Sequence, residues 1–344
     1  PCGPQLRRLL EDEDREVRRA AIVAAGRTRA VGTVEALVRL LADPALAGDA
    51  SAALAALGAA AVPALAAALA DEGLAIDARR GVPPVLAAIG GDPAQRVLYE
   101  HLLVGDVVLR YRMITALARL QRQRPGTPVD RQAVEVVLAA EIVGHYRSYQ
   151  ILGTISDALA EDETMTGGLE QSIRQERARI FGLLGLLTGS TDVEVAYDAL
   201  GDESAAVRAN ALELLDNVLS PDLRRLVLPL VDPQVSFGER VAIANRLVGA
   251  RVQTREEAVQ ALIASDDPWL RSCGVWAGGA LHLDALAGEL DRLAAAGDPP
   301  MRETVRAARE RLGAEPVVVA PVPEESVGAE TGIFDVQRDA GGLG

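Results

Sequence analysis

Three histidines and two cysteines are the side chains best suited to metal or nucleophilic chemistry in this sequence, and their spacing favours neither. His101, His145 and His282 have no second His or Cys at the short intervals that zinc ligation uses. Cys273 follows Trp269 inside an apolar helical run, the setting of a core residue and not of an activated thiolate. No GxSxG, GxGxxG, HExxH or CxxC occurs. All 35 basic residues are arginine, which removes the phosphate-loop lysine, the kinase lysine and every Schiff-base mechanism. The residues therefore point to no catalytic centre, no metal site and no cofactor.

Two other groups of residues invite a reading. The first is an acid followed four to six positions later by an apolar–Arg pair and an Ala-rich run. It appears in "DEDREVRRAAIVAAG" (12–26), "GDESAAVRANALELLDNV" (201–218), "SDDPWLRSCGVWAGG" (265–279) and "GDPPMRETVRAARERL" (297–312). A cation in the first turns of a helix opposes the macrodipole by about 0.3–1 kcal/mol, so its recurrence asks for a local partner. The preceding Asp, of the same or an adjacent repeat, is the expected one. Asp12 with Arg18, Asp202 with Arg208, and then Arg240, Asp267, Arg271, Asp298 and Arg302 are expected to form a structural ladder along the turns. The second group is "GHYRSYQ" (144–150), where His145, Tyr146, Arg147 and Tyr149 cluster. Tyr and Arg are typical contact residues, which makes this window a candidate partner surface. The competing expectation is that the rings fill the gap between two long helices.

The elements that must carry these residues repeat. Arg208, Arg240, Arg271 and Arg302 follow one another at steps of 32, 31 and 31, while Arg18, Arg80 and Arg110 lie 62 and 30 apart. A unit of this length suits two helices of about three turns with their connections. Ser220-Pro221-Asp222 reads as an N-cap, a first-turn proline and a dipole-favoured acid, opening a helix that runs to about Leu230. Thr254 with Glu257 reads as a capping box, and Asp267-Pro268 and Asp298-Pro299 repeat the cap-plus-proline start. Val207, Ala211, Leu214, Leu215 and Val218 share one helical face. A single pair of such helices cannot bury that stripe, so neighbours must stack, and the expected fold is all-α, an α-solenoid of helical hairpins.

Composition agrees. The chain is 49% hydrophobic but 3% aromatic, and Ala and Leu supply most of the apolar content, which favours close-packed helices over a β-sandwich. A net charge of −14 with no strong basic cluster argues against nucleic acid as a partner. Cys2 and Cys273 make no disulfide framework, which fits a reducing, cytoplasmic compartment. Residues 50–70 run 21 positions without a charge, yet Gly58 and Pro63 interrupt them, so two short helices joined by a turn are expected in place of a membrane span. The first residue is Pro1 and not Met, which raises the expectation that the chain is part of a longer protein.

The pattern of Asp, then Val-Arg, then Ala and Leu in "DESAAVRANALELL" resembles HEAT repeats, strongly at 12–26 and 202–219, fairly at 265–312 and weakly at 125–175. The block at 177–232, with "DDPWLRSCGVWA" (266–277), is similar to the HEAT region of bacterial membrane proteins related to ATP/ADP translocases. In that family a transporter-like domain precedes the repeats and a cyclic-nucleotide-binding domain often follows. The resemblance covers the middle module alone and carries neither transport nor nucleotide binding onto any residue here. His-Glu pairs like those of iron-binding HEAT hydroxylases are absent, and Glu100-His101 has the reversed order.

The expected organisation is N-terminal HEAT repeats over 1–125, a longer-helix insert over 126–190, C-terminal repeats over 191–313 and a disordered tail or linker over 314–344. Within the insert, "EDETMTGG" (161–168) reads as a loop between two long helices. The expected function is a non-catalytic scaffold binding another protein or an adjacent domain of a larger chain, at the cytoplasmic face of a membrane in its narrower form. A HEAT-type enzyme such as a cofactor lyase is the alternative, and it requires polar groups converging on one cleft.

Overall fold

The computed structural model describes residues 3–159, 163–249, 252–265, 267–296 and 299–313; the expected tail at 314–344 and Asp298 lie outside them. The described residues are helical, with no strand among them. In chain order the helices are α1 (Gly3–Leu10), α2 (Arg15–Thr28), α3 (Val34–Leu40), α4 (Ala47–Leu57), α5 (Val62–Ala70), α6 (Ile76–Ile89), α7 (Gly91–Glu100), α8 (Val107–Gln123) and α9 (Arg131–Leu159). Then follow α10 (Glu163–Thr188), α11 (Asp192–Ala199), α12 (Ala205–Val218), α13 (Pro221–Val231), α14 (Phe237–Leu247), α15 (Arg255–Ile263), α16 (Pro268–Ala280), α17 (Ala287–Ala296) and α18 (Pro299–Leu312).

Local chemistry starts many of these helices. Asp106 accepts from the Leu109 amide at 2.7 Å to open α8, and Ser220 caps α13 ahead of Pro221. Ser236 with Glu239 and Thr254 with Glu257 form two complete capping boxes. Asp267 caps α16 by accepting from the Trp269 and Leu270 amides. The apolar window Ala47–Ala70, long enough by composition to cross a membrane, is two helices, α4 and α5, separated by a 3-10 turn at Gly58–Ala61. Gly58 takes a φ of 65° at the end of α4, and Pro63 occupies the first turn of α5.

Tertiary contacts divide the chain into two units, one of residues 1–140 and 179–219, the other of residues 141–178 and 220–344, so the segment 126–190 contributes to both. In the first unit the even-numbered helices touch in succession, α2 with α4, α4 with α6 and α6 with α8. The odd-numbered helices do the same from α1 through α3 and α5 to α7, and each odd helix packs on the even helix that follows it. Ile22, Leu37, Leu54, Leu65, Leu86 and Leu98 are fully buried in this arrangement. Small residues set the spacing, since a Cβ on Gly26 of α2 would lie 3.1 Å from the Ala53 Cα of α4.

In the second unit α16 packs against α15 and α18, and α17 against α18. Ile155, Val259, Cys273, Val275 and Leu290 share its core with residues of α9 and α10. Contacts here are closer still. A Cβ on Gly279 would lie 2.7 Å from both the Cα and the carbonyl oxygen of Ala308, so only glycine fits between α16 and α18.

Two local expectations need correction. The loop read at 161–168 is helical from Glu163 onward, where α10 begins and runs through Gly167-Gly168, and positions 161 and 162 lie outside the described residues. Two glycines cost about 2 kcal/mol of helix propensity together, a penalty that tertiary packing routinely overrides. On α12, Ala211 and Leu215 are buried as the periodicity requires, whereas Val207 stays 36% exposed.

Candidate functional site

The recurring arginines occupy one structural position. Arg18, Arg110, Arg208, Arg240, Arg271 and Arg302 are each the fourth residue of their helix, and in α6 that place belongs to Arg79, one residue before the Arg80 expected. Their partners differ from the carboxylates expected. Arg79 donates to Leu69 O at 3.0 Å, Arg110 to Val104 O at 2.6 Å and Arg208 to the carbonyls of Asp202 and Glu203 at 2.8 Å each. Arg240 donates to Pro229 O and Asp232 O, both at 2.8 Å, and Arg271 donates to Ser265 O at 2.7 Å. The last carbonyls of a helix lack intrahelical partners and carry the negative end of its dipole. Arg79 and Arg240 reach back to such carbonyls at Leu69 and Pro229, whereas Arg110, Arg208 and Arg271 satisfy carbonyls of the turn between helices. For Arg79 and Arg240 the cation that opposes its own helix dipole thus favours that of its predecessor.

The acids of the expected ladder serve their own turns. Asp12 accepts from the Asp14 amide at 2.9 Å, Asp202 from the Ser204 amide at 2.8 Å, and Asp267 from Trp269 and Leu270. An Asp carboxylate two residues before a free amide closes that turn with little entropy to lose, so its oxygen is spent locally. Carboxylate pairs form instead with residues further along the chain: Arg18 with Asp43 at 3.5 Å, Arg19 with Asp49 at 3.1 Å and Arg80 with Asp106 at 2.7 Å.

The window 144–150 is mostly interior. His145 and Tyr146 are fully buried and Tyr149 is 2% exposed, which leaves Arg147 alone on the surface and overturns the partner-surface reading for the other three. The cause is legible in α9, where Val134, Leu138, Ile142, Tyr149 and Leu152 continue one buried stripe at intervals of three to seven residues. His145 Nδ1 lies 2.6 Å from Glu176 Oε2, Ser148 donates to Glu176 Oε1 at 2.8 Å, and Tyr146 donates to Leu226 O at 2.8 Å. The His145 ring meets the edge of Tyr149 at 5.2 Å, and the Arg240 guanidinium lies 5.9 Å from the Tyr149 ring centre. Burial pushes both tyrosine hydroxyls above their ordinary range, against the opposing pull of the Arg240 charge. Serine and histidine share one carboxylate here, so neither activates the other. The adjoining cavity, lined by Ser148, Ser172 and Glu176, measures about 10 Å³, room for roughly one water.

A larger concavity lies within the first unit and was not anticipated. It is a groove of about 660 Å³ between the end of α8 with its following loop and the junction of α10 and α11. Ala118, Gln121 and Arg122 line one side, and Gly185, Gly189 and Glu194 the other. Arg122 donates to both oxygens of Glu194, at 2.7 and 2.9 Å, with both side chains partly exposed. Gly126 (φ 90°) and Gly189 (φ 64°), both in its lining, turn the chain there. The one signal in the sequence was "GLLTGST" (185–191), a helix end dense in glycine and hydroxyl residues.

Among the described residues no group of three or more His, Cys, Asp or Glu side chains gathers as a metal site. No family model matches the chain, and no curated protein matches it.

Proposed function

We propose that this chain is an α-solenoid of HEAT-like hairpins acting as a non-catalytic scaffold for another protein or for an adjacent domain of a larger chain. The observation that carries the reading is the contact pattern of the first unit, where each helix packs on its hairpin partner and on the like helices of the neighbouring hairpins. Such contacts are what stacked repeats would produce, and in a stacked-repeat protein the extended surface is the working part. A net charge of −14 favours a protein partner over nucleic acid. The likeness of residues 177–232 to the HEAT region of translocase-related membrane proteins supports the narrower form, a regulatory module at the cytoplasmic face of a membrane.

Fractionation of native lysate with an antibody to this chain tests the narrower form. A membrane-bound band far heavier than 36.1 kDa supports it, and a soluble band at that mass refutes it. In-cell cross-linking with mass spectrometry tests the broader one. Reproducible cross-links from the repeats to one partner or domain are expected, and their absence at native expression level sinks the scaffold reading.

A further inference from the structure

The sequence has two tryptophans, and both stand on one strip of α16. Seven residues separate Trp269 from Trp276, two helical turns and about 10 Å along the axis. From Ser272 to Ala280 every residue of α16 is buried except Ser272, Trp276 and Ala280, which with Trp269 recur at intervals of three and four. The packing of α15 and α18 thus leaves this strip of the helix uncovered. Trp269 is 48% exposed, although tryptophan is a residue that folding usually buries. Trp276 packs partly on the core and carries the Arg311 guanidinium 3.3 Å from its ring centre. Tryptophan and arginine are the side chains that most often anchor an interface.

The sequence that follows α18 fits this strip. α18 packs against α16, Arg311 near its end already touches Trp276, and Pro316 comes five residues later. Residues 316–323 read "PVVVAPVP" and lie outside the described residues. Proline fixes φ near −65° and favours an extended chain, the form that docks on aromatic rings at little entropic cost, and valine adds branched apolar surface between the prolines. At about 3.1 Å per residue such a segment spans about 22 Å, enough to pass both tryptophans. We propose that residues 316–323 dock on the Trp269–Trp276 strip as an intramolecular strap, which closes the strip to proline-rich segments of other proteins. This strap stands independently of the scaffold reading.

Both tryptophans report on the strip, so their fluorescence in the full chain tests the strap. The wild type is compared with a variant carrying Val317→Ser, Val318→Ser and Val319→Ser, and circular dichroism verifies that the helices persist. Acrylamide is expected to quench the variant at least twofold more strongly, with emission shifted to the red. Equal quenching and equal emission would overturn the proposal. Protection of the wild type that fades on dilution would overturn it too, and would assign the covering segment to a second copy of the chain. A fluorescein-labelled peptide of residues 314–325 is then titrated with the serine variant and followed by anisotropy. It is expected to bind, and to bind at least tenfold more weakly once Trp269→Ala is added, a change at an exposed side chain. Equal binding to the two proteins, or no binding to the serine variant, would remove the strip as the site.

Discussion

Asp106 joins α6 to α8, and the cost of removing it can be worked out in parts. Its carboxylate caps α8 through the Leu109 amide at 2.7 Å and holds Arg80 of α6 at 2.7 Å, with 16% and 17% of the two side chains exposed. Burial alone would raise its pKa, but the hydrogen bonds from Arg80 and Leu109 and the Arg80 charge outweigh burial and hold it below the ordinary carboxylate value. The hydrogen bond to Asp106 likewise raises Arg80. Asp106→Asn keeps the cap, since Asn caps as well as Asp, and loses the ion pair, at about 1–2 kcal/mol for a pair this enclosed. Asp106→Ala loses the cap as well, about 1 kcal/mol more. Urea denaturation followed by circular dichroism gives both differences. A depressed pKa stabilises the fold fully above the unfolded value, 3.8, and the benefit is lost as pH falls through the folded value. The gap between wild type and Asn should therefore be full at pH 7 and shrink at pH 3. A gap that is absent at pH 7, or unchanged at pH 3, refutes the argument.

The arginine clasps predict a ranking. Arg240→Met strips two part-buried carbonyls of their donor and should cost about 2 kcal/mol, whereas Arg208→Met frees two exposed carbonyls that water can satisfy and should cost under about 1 kcal/mol. Equal losses in chemical denaturation would show that carbonyl burial is not what decides. Gly279→Ala should destabilise by about 1–3 kcal/mol, because its Cβ meets Ala308 backbone at 2.7 Å; an unchanged thermal midpoint would contradict the close α16–α18 approach. Gln121→Leu should leave stability equal or raise it by up to about 1 kcal/mol, since it removes a buried amide oxygen without a partner and puts an apolar group of similar size in its place. A clear loss of stability would mean that the amide is satisfied within the chain.

The sequence by itself determined what is settled within one or two helical turns. The caps at Ser220, Thr254 and Asp267 and the break between α4 and α5 at Gly58 and Pro63 stand where the residues place them. So does the all-α content, because each depends on neighbours no more than about four residues away. The position of the recurring arginines was legible for the same reason, to within the one residue separating Arg80 from Arg79. Their partners were not. A carboxylate two residues from a free amide satisfies that amide first, and the arginine then takes whichever carbonyl oxygens the preceding turn brings into reach. The burial of His145, Tyr146 and Tyr149 was half legible, as the continuation of an apolar stripe, but their identity as polar residues pointed outward. Only the approach of other helices made the interior affordable for them: α10 carries Glu176 to 2.6 Å from His145, α13 offers Leu226 O to Tyr146 and α14 sets Arg240 over Tyr149. The groove belongs wholly to tertiary structure, because Gln121 and Gly189 lie 68 residues apart in the chain, and no local pattern records that the two are neighbours.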